Sequence, residues 1–256
     1  MRIARFSAGD SPQYGILDED TNELVVLTGD PLFTKISTTG ERRSVDDVRL
    51  LSPVIPRSKV VGIGKNYAAH AEEMGSEVPA EPVVFLKPNT AVIGPDDPVV
   101  IPPYSDDVSY EAELAIVISR LCKNVTADEA KDYIFGYTAA NDVTARGVQR
   151  TDATWARAKG FDTSCPIGPY ITLDMDPSDV AVRSWVDGEL RQDGRTRDLV
   201  VPVPELVAYV SAIFTLLPGD IILTGTPAGV GLVGAGQRME VEVEGIGRFG
   251  NFVVKR

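Results

Sequence analysis

The stretch from Asp107 to Ser119, DVSYEAELAIVIS, constrains this chain more than any other. Read as a strand, it places successive side chains on opposite faces. Tyr110, Ala112, Leu114, Ile116 and Ile118 make one apolar face, while Glu111 and Glu113 share the other with Ala115 and Val117. Both faces turn apolar towards the end of the stretch, so the strand heads into an interior and takes two carboxylates with it. Carboxylates two residues apart on a strand lie about 6 to 7 Å from each other. Like charges held that close beside a buried segment call for a cation. A metal site is one reading. A solvated strand face, the ordinary explanation of an isolated Glu-x-Glu, is the other, and this stretch alone leaves both open.

At 256 residues the chain has room for one large domain with an appendage or for two modest domains. Its 23 Gly and 18 Pro imply many turns and a fold leaning towards β. A net charge of -12 argues against nucleic acid or an anionic membrane as partner. Cys122 and Cys165 are too few for a disulfide framework or a cysteine zinc site, which points to a reducing, cytoplasmic setting. The opening MRIARFSAGD has no apolar core of a signal peptide, and no apolar run reaches membrane-spanning length.

Along the chain, residues 1–52 read as a small β-rich domain. It has strands at Arg2 to Phe6, Gln13 to Leu17 and Glu23 to Leu27, the last two flanking the turn-forming DEDTN. Ser52 to Arg57 (SPVIPR) reads as a stiff linker, because each proline fixes its own φ and extends the residue before it. A second domain, 57–256, follows. It opens with a β-like run at Lys59 to Ile63, a helix from Ala68 to Met74 ended by Gly75, and a strand at Val83 to Lys87. A short helix from Asp128 to Tyr133, with Thr126 as N-cap and Glu129 three residues on, precedes a strand from Ile134 to Asn141. Further strands are expected at Cys165 to Thr172, Val180 to Val186 and Ile221 to Thr224, at the alternating run around Met239 to Glu244, and at Phe249 to Val254. The turn at Asp187-Gly188 is a hairpin signal, and Pro204 to Thr215 has helical apolar spacing.

Asp142, ending the strand about thirty residues after the glutamates, is the natural third ligand. Three carboxylates suit a hard cation such as Mg²⁺, Mn²⁺ or Ca²⁺ better than zinc. Taken alone it would be an N-cap. His70 and Glu73, three apart on a helix, lie on one face as a general base and its orienting carboxylate would; a merely exposed histidine is the alternative. Lys159, in AKGF, has small neighbours that let its stem reach inward as an electrostatic stabiliser, or it is simply solvated. Gly225 and Thr226 open a glycine-rich loop that either holds a carboxylate or makes a tight turn. Gly229 to Gly234 matches G-x-G-x-x-G, but the fingerprint needs a strand before it and a helix after it. Here a strand follows, which excludes dinucleotide binding.

Several segments in order, GKNYAAHAEEM, FLKP, DVSYEAEL, GYTAANDVTAR, AKGFDTSCPIGP, LLPGDIILTGTPAGVG and EVEVEGIGRFGN, resemble the fumarylacetoacetate hydrolase family. The resemblance spans residues 59 to 256, and with its short N-terminal β unit the chain is similar to the bacterial small-domain members. It implies a mixed α/β, mainly β fold: a β-roll or distorted barrel with a small N-terminal β domain, usually a homodimer. It also implies Glu111, Glu113 and Asp142 as ligands of Mg²⁺ or Mn²⁺, His70 and Glu73 as a dyad on a mobile lid, and Lys159 beside the metal. Thr226, Gly225, Gln149 and Arg146 would contact substrate. Some members carry a fourth acidic ligand shortly upstream of the histidine. This chain reads VVGIGKNYAAH there, which places it nearer the acylpyruvate-processing and decarboxylating branch.

The substrate expected on these grounds is a small 2-oxo acid that chelates the ion through its carboxylate and 2-oxo oxygen and reacts through an enolate at C3. Hydrolysis of the C–C bond of an acylpyruvate such as fumarylpyruvate is the favoured reaction because His70 and Glu73 are both retained. Oxaloacetate decarboxylation and isomerisation of a 2-hydroxyhepta-2,4-diene-1,7-dioate or 5-carboxymethyl-2-hydroxymuconate are the alternatives. A non-catalytic metal-binding relative ranks last.

Overall fold

The structure, a computed structural model, describes residues 1–9 and 11–255. Strand makes up 42% of it and helix 15%, as the β-leaning composition implies. Twelve strands form the main sheet. Its path runs Thr38–Ser44, Glu23–Leu27, Gln13–Asp18, Arg2–Ser7, Cys165–Thr172, Ile134–Asn141, Ala112–Ile118, Ile221–Leu223, Val60–Gly64 and Val83–Lys87, with Arg49–Leu51 and Val92–Ile93 beside it. The two ends of this path do not meet, so the described strands form no closed barrel. A five-stranded sheet runs Glu189–Arg195, Ala181–Val186, Arg238–Val243, Gly247–Lys255 and Val99–Ile101.

Ala112–Ile118 is the centre of the molecule, and all seven of its residues are buried. Leu114, Ile116 and Ile118 pack with Val182, Val241 and Val243 of the second sheet and with Leu206, Val207 and Val210 of the Val203–Ile213 helix. Ala115 and Val117, on the opposite face, pack with Val60, Ile167, Ile221 and Leu223. One strand thus serves two cores, which is why both of its faces read as apolar. Each fully buried Leu or Ile contributes about 1.5–3 kcal/mol.

The expected single strand from Asp107 to Ser119 is in fact two. Val108–Tyr110 pairs with Gly231–Val233, Ala112–Ile118 pairs with Ile134–Asn141, and Glu111 stands at the break. Side chains replace the ladder there. Glu111 N–H donates to Asn141 Oδ1 at 2.9 Å, and Ala112 N–H donates to Gln192 Oε1 at 3.0 Å. The chain changes sheets at the first glutamate instead of presenting a continuous face.

Other differences are local. The 128–133 helix is a four-residue 3-10 turn, Ala130–Tyr133; Glu129 reaches back to Thr126 N–H, but too few residues follow to propagate an α-helix. Thr144 to Lys159 holds two short helices, Arg146–Gln149 and Ala156–Lys159. Thr38–Ser44 was not anticipated, since six of its seven residues are exposed and carry no apolar alternation. Arg2–Ser7 hydrogen-bonds to Cys165–Thr172, with Ile3 opposite Ile171, so the N-terminal strands extend the main sheet. No helix among the described residues is long and apolar enough to cross a membrane.

Candidate active site and metal centre

The register of one antiparallel pair assembles the acidic cluster. Ala112 lies opposite Asn141, so the residue before the one and the residue after the other are neighbours. Asp142 N–H donates to Glu111 O at 2.9 Å. Glu113, two residues along and opposite Ala140, points to the same place as Glu111. Glu111, Glu113 and Asp142 each offer a carboxylate oxygen, and these oxygens all lie within 4.8 Å of one another. All three residues are buried. The trio expected from the sequence is therefore a real cluster, and the solvated-face alternative fails.

Buried like charges need compensation. Lys159 Nζ stands between two of the carboxylates, 2.7 Å from Glu111 Oε2 and 2.5 Å from Asp142 Oδ2. It also lies 5.0 Å from the centroid of the Phe85 ring. Arg146 Nη2 donates to Glu111 Oε1 at 2.5 Å and to Ser109 Oγ at 3.0 Å, while its Nη1 donates to Gln149 Oε1 at 2.7 Å. Lys87, fully buried, donates from Nζ to Asp142 Oδ1 at 2.6 Å. Glu113 has no ion pair among the described residues, and the one hydrogen bond they give its side chain comes from Gly225 N–H at 2.7 Å, to Oε2.

The protonation of the cluster follows from this asymmetry. Burial pushes the Glu111 carboxyl up, but Lys159 and then Arg146 pull it down to about 2. Burial, then Asp142 and Glu111, hold Glu113 well above the ordinary carboxylate range. Burial would discharge the Lys159 ammonium, and Asp142 and Glu111 on either side outweigh it and raise its pKa. The donor set fits a hard divalent cation: all oxygen, converging, and including one carboxylate, Glu113, that forms no ion pair among the described residues. Glu111, Glu113 and Asp142 are the residues that could hold it.

A cavity of about 210 Å³ opens onto this cluster. His70 and Glu73 come from the Ala68–Glu73 helix, and His70 lines the cavity with Lys159, Arg146, Gln149 and Thr226. His70 Nδ1 is 3.3 Å from Glu73 Oε2. Glu73 also accepts from Gly229 N–H at 3.0 and 3.2 Å, which ties the helix to the glycine-rich loop. Gly229 is irreplaceable on two counts: its φ is +100°, and a Cβ there would lie 2.2 Å from Arg191 O. Thr226 Oγ1 donates to Ala112 O at 2.8 Å and accepts from Gln192 Nε2 at 2.7 Å. The N–H of Gly225 is taken up by Glu113. Gly231–Val233 is a strand, consistent with the exclusion of a dinucleotide fingerprint.

Four residues of this region were not singled out in the sequence. Lys87 carried a signal: period two places it on the same face as buried Phe85. Asn66 bridges Val201 and Thr224, accepting from Val201 N–H and donating to Val201 O and Thr224 O. Gln192 is fully buried and donates from Nε2 to Thr226 Oγ1 and Pro227 O, while its Oε1 accepts from Ala112 N–H and Ser184 Oγ. Nothing in the polar run ELRQDGR marks it. The Tyr67 hydroxyl is buried without a hydrogen-bond partner among the described residues, and burial with Glu113 nearby raises its pKa.

Comparison with known proteins agrees with this geometry. Residues 59–254 match the family model described as fumarylacetoacetate (FAA) hydrolase C-terminal, and residues 1–53 match one described as Rv2993c-like, N-terminal. A crystal structure of a 5-carboxymethyl-2-hydroxymuconate delta-isomerase from Mycobacterium smegmatis is 46% identical and superposes with a TM-score of 0.92 over 100% of both chains. A mitochondrial oxaloacetate tautomerase of Xenopus laevis is 35% identical over 99% of this chain and 90% of its own. A fumarylpyruvate hydrolase from Pseudomonas aeruginosa, solved in complex with Mn²⁺ and pyruvate, is 35% identical, with a TM-score of 0.74 over 80% of this chain and 91% of its own. These relatives are enzymes of more than one reaction type, and their shared frame is the one described above: the chain belongs to the fumarylacetoacetate hydrolase family.

Proposed function

We propose that this protein is a divalent-metal-dependent hydrolase that cleaves the bond between C3 and C4 of an acylpyruvate. The observation that carries the reading is the meeting, in one cavity, of the Glu111, Glu113 and Asp142 cluster with His70, itself hydrogen-bonded to Glu73. Mn²⁺ or Mg²⁺, when bound by the three carboxylates, supplies Lewis acidity to the carboxylate and 2-oxo group of the substrate.

The chain's own groups divide the rest of the work. Glu73 accepts from His70 Nδ1–H, which leaves Nε2 free to take a proton from water. The water oxygen adds to C4, the C3–C4 bond breaks, and its electron pair passes into the enolate of pyruvate while the acyl half leaves as a carboxylic acid. His70 then returns the proton to C3. Lys159, buried, keeps a positive charge beside the developing enolate, with the Phe85 ring centroid 5.0 Å from its Nζ. Similarity to the Xenopus oxaloacetate tautomerase favours a second reading, in which the same groups move a proton between C3 and the 2-oxo oxygen and no water attacks.

Product analysis separates the two. With Mn²⁺ and fumarylpyruvate, equimolar fumarate and pyruvate are expected, with His70→Ala lowering kcat by about 10²–10⁴-fold and EDTA abolishing turnover. Rapid interconversion of enol and keto oxaloacetate without cleavage of any acylpyruvate would leave the second reading in place. Turnover indifferent to EDTA would sink both.

A further inference from the structure

Gln192 is buried for a reason other than the hydrophobic effect. It lies on Glu189–Arg195, at the edge of the five-stranded sheet, and is the one buried residue of that strand, while Leu190 is 52% exposed. A strand that hides its amide and shows its leucine is organised around a polar contact. The amide is saturated, and its orientation is fixed by its partners. Ala112 N–H and Ser184 Oγ donate to Oε1 at 3.0 and 2.8 Å. Nε2 donates to Pro227 O, which can only accept, and to Thr226 Oγ1, each at 2.7 Å.

Ala112 separates Glu111 from Glu113. Its N–H ends on Gln192 Oε1, and its carbonyl oxygen accepts from Thr226 Oγ1, the hydroxyl that Nε2 of the same amide holds. One side chain from the second sheet thus governs both backbone polar groups of the residue between two of the carboxylates, where the strand breaks. The bond from Nε2 to Pro227 O reaches the glycine-rich loop, whose Gly225 N–H donates to Glu113 and whose Gly229 N–H donates to Glu73. Gly194, two residues from Gln192, lets strand and loop touch: a Cβ there would lie 2.4 Å from Pro227 Cβ. The hydroxyl proton of Thr226 is engaged by Ala112 O and one of its lone pairs by Gln192.

We propose that Gln192 is a positioning residue of the metal centre. Through Ala112 and Thr226 it sets the direction in which Glu111 and Glu113 enter the cavity, and through Pro227 it sets the loop that meets Glu113. An amide suits the task, because it supplies two donors and two acceptors without adding a fourth negative charge to three buried carboxylates. Gln192 acts through the ligands and not on the substrate: it governs how closely their oxygens converge, and so how tightly an ion is held. This rests on the reading of the cluster as a metal site and is independent of which reaction follows.

The test is Mn²⁺ affinity, measured by isothermal titration of the folded, metal-free protein with no substrate present. Gln192→Met keeps the length of the side chain and removes its hydrogen bonds; it is expected to weaken Mn²⁺ binding about 10–100-fold, the usual cost of losing a partner behind a ligand. Thr226→Val removes the hydroxyl alone and should weaken binding about 3–10-fold, whereas Thr226→Ser restores it and should stay within about twofold of the wild type. Because both residues act through Ala112, adding Thr226→Val to Gln192→Met should cost no more than about a further twofold. Val207→Ala, in the apolar core and outside this network, loses stability and should keep the wild-type affinity within about twofold. Unchanged affinity in Gln192→Met, a loss in Thr226→Ser equal to that in Thr226→Val, or a loss in Val207→Ala as large as that in Gln192→Met overturns the positioning role. If Gln192→Met does not fold, the Thr226 pair decides, and wild-type affinity in Thr226→Val overturns it. Absence of Mn²⁺ binding by the wild type would remove the metal centre itself and this role with it, whereas failure to hydrolyse an acylpyruvate would remove the proposed reaction and leave these affinities to be judged separately.

Discussion

Two buried carboxylates in this molecule have opposite surroundings. Asp220 is fully buried and saturated. It accepts from Ser58 Oγ at 2.7 and 2.8 Å, from the N–H groups of Ser58, Lys59 and Leu217 at 3.3, 3.2 and 2.9 Å, and from Lys59 Nζ at 2.6 Å. Those donors stitch the start of Val60–Gly64 to the turn before Ile221–Leu223, strands paired in parallel with Val60 opposite Ile221. Glu113 is just as buried but has one N–H donor and two carboxylate neighbours. The contrast separates a carboxylate that serves the fold from one that serves a ligand: the first has every lone pair occupied by protein, the second is left short of positive charge.

The largest effect that would test this contrast is on stability. Asp220→Ala leaves Lys59 and several N–H groups without their acceptor, so it should lower unfolding free energy by about 3–5 kcal/mol. Urea denaturation of the metal-free protein reads this directly. A loss below about 1 kcal/mol, the range of an ordinary surface pair, would mean that Asp220 is not the tie described. Next in size is the response to metal. At 100 times Kd, Mn²⁺ should stabilise the wild type by about 2.7 kcal/mol, while Glu113→Gln should lose most of that gain and Asp220→Asn variants that still fold should keep it. An undiminished Mn²⁺ response in Glu113→Gln would break the comparison from the other side.

How far the site could be read from the sequence depended on whether its geometry was local. Glu111 and Glu113 were legible because strand alternation is a two-residue rule, and His70 with Glu73 because helical neighbours are three apart. Lys87 was legible in principle from the same alternation that buries Phe85. The break at Glu111 was hidden, since it depends on Asn141 and Gln192, which lie 30 and 80 residues from the groups they accept from. The order of the sheet was hidden for the same reason: nothing near Ile3 indicates Ile171 as its neighbour. Strand existence follows from local pattern, whereas register and sheet order are set by contacts between distant segments. The structure also adds charge balance. Lys159 was expected beside the metal and Arg146 against the substrate, but only their distances show that they pair with Glu111, and Lys159 with Asp142 as well.

The smallest effect is the most discriminating, because its sign changes with what is bound. In the unfolded chain Glu113 releases its proton near the ordinary value of 4.5, whereas in the metal-free fold burial, Asp142 and Glu111 hold the proton on to higher pH. Between those two points the folded state binds more protons than the unfolded state, so stability falls as pH rises. Glu113→Gln removes that penalty. The metal-free variant should match the wild type below pH 4.5 and become more stable than it as pH rises, by about 1 kcal/mol at neutrality, typical of relieving a functional site. Glu111 has the opposite linkage. Its folded value of about 2 lies below 4.5, so its contribution is present above 4.5 and is lost as pH falls towards 2, and Glu111→Gln should destabilise the fold at neutral pH. Parallel urea titrations of both variants at pH 4.5 and 7.5, with EDTA present, read the two signs together. Opposite signs at pH 7.5 are expected from one glutamate ion-paired with Lys159 and Arg146 and another with no ion pair among the described residues; a common sign would mean that the charge deficit is shared across the cluster and does not reside on Glu113.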